Sequence, residues 1–124
     1  MDITPVVSAE FQLINGYGDG GFTIANLRHE GSVLVLPRRT VAWPVAVMAD
    51  LHPELLTDII AAEPRPRVLI LGCGKGMQPV PRAIRDHLRA AGIVVEPMDT
   101  GAACRTYNVL LTEGRDVAAA LIAV

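Results

Sequence analysis

Apolar and polar positions change their period once along this chain, near residue 63. Before that point, short apolar runs alternate with turn residues: "FQLIN" (11–15), "GFTIAN" (21–26), "SVLVLP" (32–37) and "TVAW" (40–43) predict β-strands. The first two flank "GYGDGG", in which Gly16, Gly18, Gly20 and Gly21 predict a tight corner, because glycine takes positive φ without a steric penalty. Residues 52–62 switch to helical spacing, with Pro53 in the first turn and Leu55, Leu56, Ile59 and Ile60 on one face. "EPRPR" then ends the helix.

The second half alternates in longer units. A strand "VLIL" (68–71) precedes a helix over 81–92, whose inward stripe is Ile84, His87, Leu88 and Ala91. A strand "IVVEP" (93–97), a helix over 100–114 and a last apolar segment (117–124) follow. Such alternation predicts βαβ units with neighbouring parallel strands, and so an α/β fold in one domain spanning residues 1–124.

Composition sharpens this picture. Hydrophobic residues make up 51% of the chain and aromatics only 4%, which suits a sheet covered on both faces and leaves apolar surface for a partner or a second copy. The net charge of −2 is spread without a basic block, so no nucleic-acid partner is expected. The opening "MDITPVVSAEF" lacks the apolar run of a secretory signal, and no later segment is long enough to span a bilayer, which points to the cytoplasm. Cys73 and Cys104 form no Cys-x-x-Cys pair, and His29, His52 and His87 show no ligand spacing, so no metal is expected.

The segment "VLILGCGKGMQPVPRAI" (68–84) raises the question of a cofactor. A Walker A loop fails, because Lys75 is followed by Gly76 and position 69 is Leu. A dinucleotide fingerprint fails at its third glycine, which is Met77. A methyltransferase motif is closer, with Glu96 or Asp99 available for a ribose. It lacks the acidic residue at Ile70, carries Pro79 and Pro81 where amide donors are needed, and leaves too little chain after Gly76 for the remaining strands. Gly72, Gly74 and Gly76 therefore read first as a turn that allows close approach, and no cofactor is expected.

The other dense stretch is "MDTGAACRTYNVLLTEGRDVAAAL". Thr100 is a good helix cap, Ala103, Tyr107, Leu110 and Leu111 make an inward stripe, and Gly101, Arg105, Asn108 and Thr112 make the opposite one. Together with "GYGDGGFTI", "GSVLVLP", Trp43 and "VLILGCGKG", this stretch resembles the domain-of-unknown-function family, number 498, that includes mitochondrial complex I assembly factor 3 and the adipogenesis-associated domain protein. The resemblance implies a compact three-layer α/β domain with a mixed central sheet and extra β structure. Its recurring positions fall on Gly72, Gly74 and Gly76, and on Asp99, Thr100, Arg105, Thr106, Tyr107 and Asn108.

The expected function is a noncatalytic protein-interaction or assembly-accessory module with an unnamed protein partner. The alternative is a small-molecule or anion-binding protein. The candidate recognition residues are Gly72, Gly74, Lys75, Gly76, Asp99, Thr100, Arg105 and Asn108, gathered where two successive strands end. The competing role for Arg105 is a pair with Asp99 or Glu96 that only shapes the loop. An enzyme ranks third, because no Ser-His-Asp, Cys-His or paired-carboxylate set can be assembled.

Overall fold

The computed structural model describes residues 11–124; the reading of the opening segment lies outside them. Strands β1 (Ile14–Gly18), β2 (Gly21–Ile24) and β3 (Leu27–Glu30) form an antiparallel sheet in the order β1-β2-β3. The central sheet holds β4 (Val33–Val35), β5 (Thr40–Ala42), β6 (Val68–Gly72), β7 (Val94–Met98) and β8 (Val117–Leu121), in the order β5-β4-β8-β6-β7. Strands β8, β6 and β7 run parallel, while β4 is antiparallel to β5 and β8, so the sheet is mixed. The helices are α1 (Thr57–Ala61), α2 (Arg82–Ala90) and α3 (Thr100–Thr112).

Alternation along the strands divides the core in two. Leu34, Leu69, Leu71, Val95, Ala118 and Ala120 point to the side covered by α1 and α2, where Leu56, Ile59, Ile84 and Leu88 meet them. Val33, Val35, Ile70, Val117, Ala119 and Leu121 point to the other side, against α3 and the β1-β2-β3 sheet. This makes three layers, with β8 at the centre and every residue of it buried. Its "VAAAL" sequence fits a strand covered on both faces, and the three alanines let the flanking layers come close.

The strands β6 and β7 are parallel neighbours in the register Val68↔Val94 to Gly72↔Met98, as the sequence predicts. Several local expectations need correction. Only Gly18 and Gly20 of the four corner glycines take positive φ; Gly16 belongs to β1 and Gly21 opens β2, so the turn is Asp19–Gly20. Strand β3 has no apolar alternation to announce it. It is an edge strand fixed from outside its own pattern, since the Arg28 guanidinium donates to the carbonyls of Gly18 and Asp19 and pairs with Glu30. The helix predicted over 52–62 is a 3-10 turn at Pro53–Leu56 followed by the short α1, because His52 has no side-chain cap to offer and Pro64 follows closely. Trp43 anchors this turn by donating its indole N–H to the Leu55 carbonyl at 2.9 Å. His87 is exposed rather than on the inward stripe of α2.

The close fit around β8 makes a prediction. Ala119→Leu forces extra volume between β8 and α3 and should lower stability by about 1–3 kcal/mol. Urea unfolding measures it, and an unchanged midpoint would show that this side of the core has room to spare.

Candidate functional site

The two singled-out loops meet at the carboxyl ends of β6, β7 and β8, and one side chain joins them. Thr100 is fully buried. Its hydroxyl accepts from the Gly74 N–H at 3.0 Å and donates to the Ile122 carbonyl at 2.7 Å. Its own N–H donates to the Gly74 carbonyl at 2.8 Å. Cys73 N–H to Met98 O and Ile122 N–H to Gly72 O complete the set. The continuations of three strands are thereby sewn together, and polar backbone groups that would otherwise be buried without partners are satisfied.

Sequence predicted Thr100 as the cap of α3. The cap is Asp99, whose backbone is extended and whose carboxylate accepts from the Ala102 N–H at 3.0 Å. A carboxylate suits a helix start because of the positive end of the dipole. With capping done by its neighbour, Thr100 is free to turn inward. Gly72 makes room: a Cβ there would come within 3.0 Å of the Thr100 hydroxyl and of a Leu121 methyl. Gly74 has φ +103°, which a side chain would strain.

Asn108 is likewise engaged. Its amide oxygen accepts from the Ile14 N–H at 2.9 Å, and its amide nitrogen donates to the Ile14 carbonyl at 2.8 Å. In effect the side chain completes the outer edge of β1 as a neighbouring strand would. Tyr17, at the other end of β1, lies over Gly101, where a Cβ would come within 3.0 Å of the ring carbon bearing the hydroxyl. The stripe of Gly101, Arg105, Asn108 and Thr112 is therefore partly the seam along which β1 docks on α3. Sequence reasoning missed Tyr17, although an aromatic between two glycines is a usable signal for a ring laid over another backbone.

Arg105 is exposed and forms no ion pair among the described residues; the alternatives of Asp99 and Glu96 are not realised. Lys75, Gly76 and Met77 are exposed on the loop after β6, with Met77 at 64% of its full exposure. The site residues thus separate. Gly72, Gly74, Asp99, Thr100 and Asn108 have contacts within the fold, whereas Lys75, Gly76 and Arg105 face outward. The amides of Cys73 and Gly74, two donors that a phosphate cradle would use, are already bonded to Met98 and Thr100.

The thiols are unsuited to nucleophilic work. Cys73 is buried against the Leu71 and Gln78 carbonyls. Burial pushes the Cys104 thiol from 9.0 up to about 12, against a weaker opposing pull from Arg105. Burial likewise raises Tyr107, which sits within the core. Among the described residues no cluster of His, Cys, Asp and Glu could hold a metal ion, and no helix is long and apolar enough to cross a membrane.

These features define a class: a mixed-sheet α/β scaffold whose strand ends are tied internally and whose loops present isolated cations and apolar groups. The profile described as a protein of unknown function (DUF498/DUF598) matches residues 14–122, and the chain belongs to that family. The chain is 36% identical over 115 residues to a Xenopus tropicalis protein named NADH dehydrogenase [ubiquinone] 1 alpha subcomplex assembly factor 3, covering 93% of this chain and 63% of that protein. The chain thus spans less than two thirds of that relative. An uncharacterized protein of Rhodobacter capsulatus is also 36% identical, over 88% of this chain and 82% of its own. The solution structure of a Mth938-like domain from Bordetella pertussis has a TM-score of 0.82 at 28% identity, covering 98% of this chain and 92% of that one.

The buried threonine makes a prediction. Thr100→Val keeps the shape but leaves the Gly74 N–H and the Ile122 carbonyl without that hydroxyl, at a cost of about 2–4 kcal/mol. Thr100→Ser should recover most of the loss. Thermal unfolding of the three proteins checks this, and equal stability of the Val and Ser variants would refute it.

Proposed function

We infer that this domain is a noncatalytic assembly-accessory module that docks a protein partner on the carboxyl edge of its sheet. Homologues of this chain are named as assembly factors for complex I, in keeping with an assembly-accessory role. The observation that carries the surface is the division of labour at the edge. The inward groups satisfy one another, and Tyr17, Lys75, Met77 and Arg105 are among the groups left outward.

An exposed aromatic, a flexible Met and an unpaired guanidinium are residue types enriched where proteins bind one another. The two cations favour an acidic segment on the partner. A catalytic reading has little to draw on, because the buried threonine is fully bonded, burial raises the Cys104 thiol, and Cys73 is buried against backbone carbonyls. The anion-binding alternative is weakened by the amides already spent within the loop.

The test is affinity capture of the tagged full chain from its native cells, with partners identified by mass spectrometry. Lys75→Glu combined with Arg105→Glu should keep a nearly native melting temperature and lose the specific partner, by about tenfold or more in recovered amount. Arg85→Glu on the exposed side of α2 serves as the control and should retain it. Unchanged capture by the double variant would remove this edge as the docking surface.

A further inference from the structure

The N-terminal sheet ends on β3, and the order β1-β2-β3 leaves the outer edge of that strand without a neighbour among the described residues. Leu27, Arg28 and Glu30 are exposed, and His29 is partly so. Which backbone groups face outward follows from the hairpin. Ile24 pairs with Leu27 across the two-residue turn Ala25–Asn26, both at positive φ, so Leu27 and His29 direct their N–H and C=O groups to β2. The Gly31 N–H donates to the Gly20 carbonyl at 2.8 Å and keeps the same phase. Arg28 and Glu30 therefore point their backbone groups away from β2, and no other described segment bonds to them.

The other strand edges are closed or blunted. The Asn108 side chain occupies the edge of β1 at Ile14. In β7 the Val94 N–H and the Met98 carbonyl bond toward β6, which puts Pro97 in the outward phase, where it removes a donor. Strand β5 has three residues, and Gln12 lies beside it, accepting from the Thr40 hydroxyl at 2.7 Å. Edge strands are often guarded by charges of one sign. In β3 the outward row alternates instead, Arg28 then Glu30.

That row is its own complement. We propose that β3 pairs antiparallel with β3 of a second copy of this chain, about a two-fold axis through His29. Only outward residues can exchange bonds, so the possible registers set Arg28 opposite Arg28, Glu30 opposite Glu30, or Arg28 opposite Glu30. The first two bring like charges together, and the third brings opposite charges together twice, once on each side of the axis. The N–H and C=O of each Arg28 then bond to Glu30 of the second copy. Within one strand Arg28 already pairs with Glu30 at 2.8 Å, and two such pairs side by side alternate in sign, so that bond is kept. On the other face Leu27, at 63% of its full exposure, comes opposite Gly31, which has no side chain to obstruct it. This surface stands apart from the carboxyl edge and does not depend on its role.

Sedimentation equilibrium of the full chain over a wide range of concentration tests the pairing, with backbone amide signals followed by NMR on dilution. The mass should rise from one chain toward two, and the concentration-dependent shifts should concentrate at residues 27–31. Glu30→Lys sets cation against cation in the paired register and should weaken association by about tenfold or more. Arg28→Glu should do the same with carboxylates. An equal mixture of these two variants restores opposite charges at both positions and should associate where neither does alone. Arg28 also holds the Gly18 and Asp19 carbonyls, so thermal unfolding is measured for each variant. Glu30→Pro removes one outward N–H, leaves Arg28 in place, and should also abolish association; if Arg28→Glu unfolds, the two Glu30 variants decide alone. A mass of one chain at every concentration would overturn the proposal and leave the edge to another protein's strand. Indifference to both Glu30 variants, dilution shifts confined to other residues, or no association in a mixture of two folded variants would overturn it as well.

Discussion

The arrangement of this domain depends on one buried hydroxyl. Where three parallel strands end side by side, each backbone leaves the ladder with polar groups still inside the protein, and these must find partners or destabilise the fold. Thr100 serves two of them at once, as acceptor for Gly74 and donor to Ile122. Its position requires a glycine at 72, and its inward orientation requires that Asp99 take over the capping of α3. Gly72, Gly74, Asp99 and Thr100 therefore act as one unit, and a change at any of them is felt by all three strand ends.

That unit decides what the carboxyl edge can do. In open α/β sheets this edge is the usual ligand crevice, and the glycine-rich loop invites the same expectation here. Internal bonding uses up the groups that a crevice would offer, and the chain beyond Gly74 is carried outward. The result is a surface with Lys75, Met77, Tyr17 and Arg105 on it. One opening, of about 470 Å³, lies at the other end, between helix ends and the turn after β4.

Much of the fold was legible because burial on both faces leaves long apolar runs, as in 68–71 and 117–121, and because helix and strand periods differ. Strand β3 was not legible, since it is held by the Arg28 side chain reaching across the hairpin and not by its own pattern. At the site, the sequence singled out residues of α3 and of the loop that the fold brings together, but could not sort their jobs. Whether Asn108 faces solvent or completes β1 depends on a strand ninety-four positions away. Whether Thr100 caps or turns inward depends on Asp99, one position away, and both are good caps by composition.

Amide hydrogen exchange measured residue by residue under native conditions tests the central role of Thr100 most directly. If its hydroxyl locks the strand ends, the amides of Gly74 and Ile122 should exchange only with global unfolding, in the same slow class as Ile70 and Ala119. The amides of Lys75, Gly76 and Met77, immediately beyond, should exchange rapidly. Exchange at Gly74 as fast as at Lys75 would contradict the account, because it would mean that the loop opens without breaking the fold.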